Sequence, residues 1–178
     1  MEFLNEEELQ FINSNASYTP TEISIYKDVH KNEGHQDITF WDTSFIKYMG
    51  SLFSHYKYSP DLLWNTSNVT KMFYMFQRSK FNGYINCWIT KNVVTMNYMF
   101  SDSEFNNSIN SWDVSNVKYM SGMFLGSIFN KDINGWNVKN VRYIEYMFCN
   151  SRFNKDISSW KFDNIISFNY MLNQSKLM

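Results

Sequence analysis

The chain has 178 residues, is 44% hydrophobic and 19% aromatic, and carries a net charge of −1. This much apolar and aromatic side chain excludes a disordered polymer and allows one domain with a real core. The near-neutral balance supplies no global field to gather nucleic acid or an anionic membrane.

The first expected element is a helix over about residues 6–14. Asn5 stands as its N-cap, with Glu8 at the third helical position and Leu4 and Leu9 able to staple across the turn. The start is acidic and amphipathic. It lacks the basic segment and long apolar segment of a secretory leader, which points to an intracellular, cytoplasmic chain. No run reaches the roughly 18 apolar residues of a membrane span. Further on, "ISIYKDV" alternates in part and predicts a strand over 23–29. Residues 1–36 are read as an N-terminal cap and residues 37–178 as a repeat domain.

The repeat is written in the tryptophans: Trp41, Trp64, Trp88, Trp112, Trp136 and Trp160, and none elsewhere. With each Trp as position zero, +5 holds Ile46, Val69, Val93, Val117, Val141 and Ile165. Position +12 holds Phe53, Phe76, Phe100, Phe124, Phe148 and Leu172. Position +17 holds Tyr58, Phe81, Phe105, Phe129 and Phe153, and position −3 is Ile in every unit except the second, where Leu62 slips into the slot. A fixed period in this range marks stacked units, none of which buries its apolar face alone. Each buried aromatic removes about 150–250 Å² from water, so the indole and phenyl columns dominate stability. All six indoles are expected to lie in one buried row, each upon the last.

Apolar positions +5, +8, +11 and +12 have helical spacing, and "FNKDISSW" looks extended. The expected fold is therefore an α/β repeat solenoid of the leucine-rich-repeat type. Each of about six coils would hold a short parallel strand and a short helix or helical turn. A parallel β-helix is the alternative. Asn68, Asn92, Asn116, Asn140 and Asn164 at +4, and Asn82, Asn106, Asn130 and Asn154 at +18, are read as corner residues that satisfy main-chain groups. Together with the tryptophans, the +4 row makes up the structural ladders; a polar binding track is the other reading of these asparagines.

"FNNSINSWDVSNVKYMSGMF" (105–124) and "FNKDINGWNVKNVRYIEYMF" (129–148) resemble the unit of the BspA-like leucine-rich-repeat surface proteins, roughly "FNxDISxWDVSNVxxMxxMF". The resemblance spans about residues 36–172. It implies a binding scaffold, with host interaction or adhesion as the expected role, and transfers no catalytic residue.

Chemistry needs dissimilar groups converging on one place, whereas a repeat column supplies similar groups in a row. Asp37, Asp132 and Asp156 share position −4, but Tyr84 and Ser108 interrupt the column, which argues against calcium. The basic–aromatic pairs Lys47-Tyr48, Lys118-Tyr119 and Arg142-Tyr143 are also interrupted, which argues against nucleic acid. No cofactor or metal is expected, and Cys87 and Cys149 sit at different corners. The leading expectation is a non-enzymatic protein–protein interaction module. Its partner would bind at Tyr84, Asn86, Ser108, Asn110, Lys131, Asp132, Asn134, Lys155 and Asp156. Second stands self-assembly, a dimer through the open C-terminal coil. Third stands an enzyme built on His30, His35 or His55 at the cap.

Overall fold

The computed structural model describes residues 19–31 and 37–176. The helix expected over 6–14 lies outside them. The segment read as a strand over 23–29 is instead part of the helix α1, Pro20–Lys31. Its N-terminus is a complete capping box. Thr19 N donates to Glu22 Oε2 at 2.7 Å, and Glu22 N donates to Thr19 Oγ1 at 3.2 Å. Pro20 at the first helical position costs no hydrogen bond there. His30 and Lys31 lie in the last turn, where positive charge suits the helix dipole. Glu22, Tyr26 and Val29 form the buried stripe of α1, at helical spacing.

The expected α/β class does not hold. Among the described residues α1 is the one helix, and β structure is reduced to five isolated parallel bridges, with no strand and no sheet. That finding removes the strand-plus-helix coil and the parallel β-helix alike. What remains is six repeat units, built almost wholly of turns, laid in register one on the next.

The turns explain the failure of the helix. Positive φ recurs at +10 and +14 of every unit: Ser51 and His55, Tyr74 and Arg78, Tyr98 and Asp102, Gly122 and Gly126, Tyr146 and Asn150, Tyr170 and Gln174. A left-handed residue every fourth position forbids a right-handed helix. It suits instead the third place of a type II turn. The bonding agrees: Met99 N reaches Met96 O, Ser101 N reaches Tyr98 O, and Ser103 N reaches Phe100 O. The alternate N–H groups leave the unit. Met96, Tyr98, Phe100 and Asp102 donate to Tyr119, Ser121, Met123 and Leu125 of the next. Odd positions close turns and even positions join units, so the backbone is satisfied without a sheet.

The bridges also lie elsewhere than "FNKDISSW". They pair position +7 down the stack, Tyr48 to Lys71, Thr95, Tyr119, Tyr143 and Ser167. In the segment expected to be a strand, side chains do much of the joining. Asn106 N, Asn130 N and Asn154 N each donate to the Oδ1 of the asparagine one unit earlier, at 2.8–3.0 Å.

The core is a set of ring columns. Phe53, Phe76, Phe100, Phe124 and Phe148 stack in sequence with centroids 5.2–5.7 Å apart. Phe81, Phe105, Phe129 and Phe153 form a second column at 6.1–6.2 Å. The indoles form a third. Trp41 stacks on Trp64, Trp64 on Trp88, Trp88 on Trp112, and Trp136 on Trp160, with centroids 6.1–6.5 Å apart.

The indole row is not uniform, and here the expectation of six equivalent buried rings needs correction. Trp64, Trp88, Trp112, Trp136 and Trp160 are buried, whereas Trp41 is only partly buried against the core. The hydrogen bonds give the reason. Each indole from Trp64 onward donates its N–H to a carbonyl one unit back: Trp64 to Ile38, Trp88 to Leu62, Trp112 to Ile85, Trp136 to Ile109 and Trp160 to Ile133. A buried indole thus keeps a partner, as it must. Trp41 belongs to the first unit, which has no earlier repeat to cover its outer face. The +4 asparagines follow the same rule: Asn68 Nδ2 reaches Ser44 O, Asn92 reaches Ser67 O, Asn116 reaches Lys91 O, Asn140 reaches Ser115 O and Asn164 reaches Lys139 O, at 2.6–2.8 Å.

Candidate functional site

The nine residues read as a partner surface lie on the corner between the inward Phe at +17 and the next Trp. Inward Ile85, Ile109 and Ile133 anchor this corner in the core. The structure divides the nine into two groups. Asp132 Oδ1 accepts from Asn134 N at 2.9 Å, and Asp156 Oδ1 from Ser158 N at 2.8 Å. Those contacts cap turns, and the backbone N–H and then the hydroxyl of Ser158 hold the Asp156 carboxyl below the usual aspartate range. Asn86 and Asn134 accept from Ser111 and Ser159 of the following unit. Asn134 also donates to Asp156 Oδ2 at 3.2 Å, and Ser108 Oγ donates to Asn110 Oδ1 at 2.9 Å. These six side chains are occupied in holding the corner.

Tyr84, Lys131 and Lys155 are different. All three are exposed, Tyr84 to 45%. The Tyr84 backbone is fixed by Asp61, whose Oδ1 accepts from Tyr84 N at 2.8 Å, while the ring is left outward. An aromatic ring on a fixed backbone, with solvated cations further along the same corner, is the part of it able to change partners.

The remaining candidates do not converge. His30 stacks on Tyr26 with centroids 4.4 Å apart, at the end of α1. His55 is exposed at a left-handed turn position, with Nδ1 3.0 Å from Ser54 Oγ. His35 lies outside the described residues. Cys87 is exposed overall, but burial around its sulfur pushes the thiol up, away from the thiolate that reactivity needs. Asp37 accepts from Thr39 N at 2.9 Å, and that residue's side chain and backbone hold the carboxyl low. The −4 carboxylates thus cap their own turns. Among the described residues no group of three or more His, Cys, Asp or Glu is placed to hold a metal. No described helix is long and apolar enough to cross a membrane.

Two further surface features lie outside the nine residues. Tyr74 stacks on Tyr98 at 5.1 Å and Tyr146 on Tyr170 at 5.2 Å, all four in left-handed conformation. Such backbone costs an L-residue about 1–2 kcal/mol, and ring stacking returns about 0.5–1.5 kcal/mol per pair. Between the pairs stands Gly122 (φ 63°), where a Cβ would lie 2.2 Å from the Tyr98 ring. The second feature is a cleft of about 290 Å³ beside the +18 asparagines.

A family model matches residues 23–104 and again residues 79–178, which together cover the whole of the repeat. The chain belongs to the family described as Mycoplasma protein of unknown function, DUF285. The family description carries no activity to transfer. No curated protein matches the chain, and no solved structure matches it. Function in this DUF285 chain is therefore read from its own surface.

Proposed function

We propose that this DUF285 chain is a non-enzymatic protein-interaction module that binds its partner at the corner carrying Tyr84, Lys131 and Lys155. One observation carries the reading. In units two to five the inward positions keep the same or a closely similar apolar residue and are buried, while the outward positions of the corner change from unit to unit. A stack built this way is a stiff holder for a variable surface, which is how repeat proteins bind. The resemblance to the BspA-like surface proteins supports the same role, with host interaction or adhesion as its setting.

The test is a triple variant, Tyr84→Ala with Lys131→Ala and Lys155→Ala. The turn-capping Asp132 and Asp156 are left in place. Because the three side chains are exposed, unfolding should shift by no more than about 0.5 kcal/mol per site. Partner capture from native lysate should fall at least tenfold by quantitative mass spectrometry, since aromatic anchors are worth about 2 kcal/mol at interfaces. Equal capture by wild type and variant removes this surface from consideration.

A second reading is assembly through the last described unit. Its N–H groups at Phe168, Tyr170, Leu172 and Gln174 have no backbone acceptor among the described residues, whereas the same four positions are bonded in all five earlier units. Phe168 and Tyr170 are 63% and 60% exposed. The row consists of donors, and a twofold-related copy presents donors to donors. A dimer through this edge must therefore bring carbonyls from elsewhere in the second chain. Sedimentation across a dilution series should show a concentration-dependent dimer; a single monomeric species at every concentration ends the idea.

A further inference from the structure

The +18 asparagines do more than join units. Asn82, Asn106 and Asn130 each spend Oδ1 on the backbone N–H of the next unit, at 2.8–3.0 Å. That bond fixes which end of the amide is which. None of Asn106, Asn130 or Asn154 has a protein partner for Nδ2 among the described residues, so these amide donors form a row along the surface.

Two positions before this row, at +16, stand Arg152 and Lys176. Side chains two apart in extended backbone leave on the same face, about 6.5 Å from each other along the chain. The two columns enclose the cleft of about 290 Å³, lined by Asn106, Ile128, Asn130, Arg152, Asn154 and Lys176. Arg152 and Lys176 are exposed and occupy successive units, so like charges are stacked one above the other. Among the described residues the one ion pair is Arg78 with Asp102, so no carboxylate neutralises either cation. Neither Asp132 nor Asp156 lines the cleft, and both have Oδ1 turned to their own turns. The Arg152 backbone is also held in place, since its main-chain N–H donates to Ser127 O at 3.0 Å.

We infer that this cleft is an anion site for a sulfate-type oxyanion, with Arg152 and Lys176 supplying charge, the Asn130 amide supplying an oriented N–H donor and the Asn154 amide free to turn its own toward the anion. The donors come from two columns and more than one unit. A tetrahedral anion, with oxygens in three dimensions, satisfies more of them than a flat carboxylate does. The source is either free sulfate or a sulfate ester along a glycan chain. The inference stands apart from the protein-partner reading and survives its failure.

Inorganic sulfate titrated against the full chain, at constant ionic strength with chloride, is the test. Side-chain amide signals of Asn130 and Asn154 and the Arg152 Nε signal should move saturably. Asn130→Asp keeps an oxygen for the Asn154 N–H while replacing the amide donor by negative charge. It should leave the melting temperature unchanged and weaken sulfate at least tenfold, the loss expected for a charge-assisted hydrogen bond. Arg152→Ala with Lys176→Ala should do the same. A sulfated oligosaccharide and its unsulfated counterpart separate the sources. Tighter binding of the sulfated chain at the same signals assigns the glycan, and equal affinity per sulfate assigns the free ion. Linear, unsaturating shifts, or variants that bind as wild type does, overturn the site.

Discussion

Glu22→Ala is expected to destabilise the chain by about 3–4 kcal/mol, measured by urea unfolding. Units four and five show what the cap replaces. Lys118 N and Tyr119 N share the carbonyl of Val94, and Arg142 N and Tyr143 N share that of Lys118. Unit one has no unit before it, and Lys47 N and Tyr48 N donate to Glu22 Oε1 at 2.8 and 3.0 Å. A side-chain oxygen thus stands in for the missing carbonyl, while Oε2 is tied to Thr19. Glu22 is 4% exposed, so its removal leaves part-buried donors without their acceptor, at about 1–3 kcal/mol each. Glu22→Gln should cost about half as much: its oxygen can still serve Lys47 and Tyr48, but its NH2 then faces the Thr19 donors. Amide exchange at Lys47 and Tyr48 should accelerate first. A loss under about 1 kcal/mol for the alanine variant, the scale of an ordinary surface change, would show that α1 is an appendage and not a cap.

Phe100→Ala should cost about 3–5 kcal/mol and change the form of unfolding as well as its midpoint. Phe100 is fully buried. It stacks on Phe76 at 5.3 Å and Phe124 at 5.7 Å, meets Phe105 at 4.4 Å and lies 6.2 Å from Trp112. Units in a stack are coupled to their neighbours, so a hole in the middle weakens two interfaces at once. Calorimetry should show the single transition broaden or split. Leu172→Ala, at the same position of the last described unit, is half-buried and should cost only about 1 kcal/mol with no split. Equal losses at both sites would mean that the ring column is not cooperative.

The period was legible because only stacking in register makes Trp, Phe and Asn recur together. The different standing of Trp41 was not, since the letter is the same in every unit and only the missing neighbour sets it apart. The local backbone was hidden for another physical reason. Apolar side chains at +8, +11 and +12 match one face of a helix, but successive turns bury the same positions. The available signal was "SGMFLGS": Gly122 and Gly126 stand four apart at the two left-handed places, and Asp102 and Asn150 fill one of them in neighbouring units. Tyrosine at the other place hid the pattern, since bulky residues avoid that conformation. For α1, "TPTE" (19–22) carries a threonine cap, a first-turn proline and the reciprocal glutamate, a stronger statement than the partial alternation of the residues behind it. Of the nine residues expected to meet a partner, sequence could not separate Tyr84, Lys131 and Lys155 from six that bond within the corner. That distinction depends on which neighbour each side chain reaches.

In the turns from +8 to +14 the backbone-to-backbone bonds between units all run one way, N–H toward the following unit and carbonyl toward the preceding one. Any interior unit therefore has the same two interfaces as its neighbours, whatever its outward residues. Loss or duplication of one whole block would leave the carboxylate cap at one end untouched and merely change the length of the surface on offer. Such an array can be tuned in reach without redesign of its interior, by recombination between its own copies.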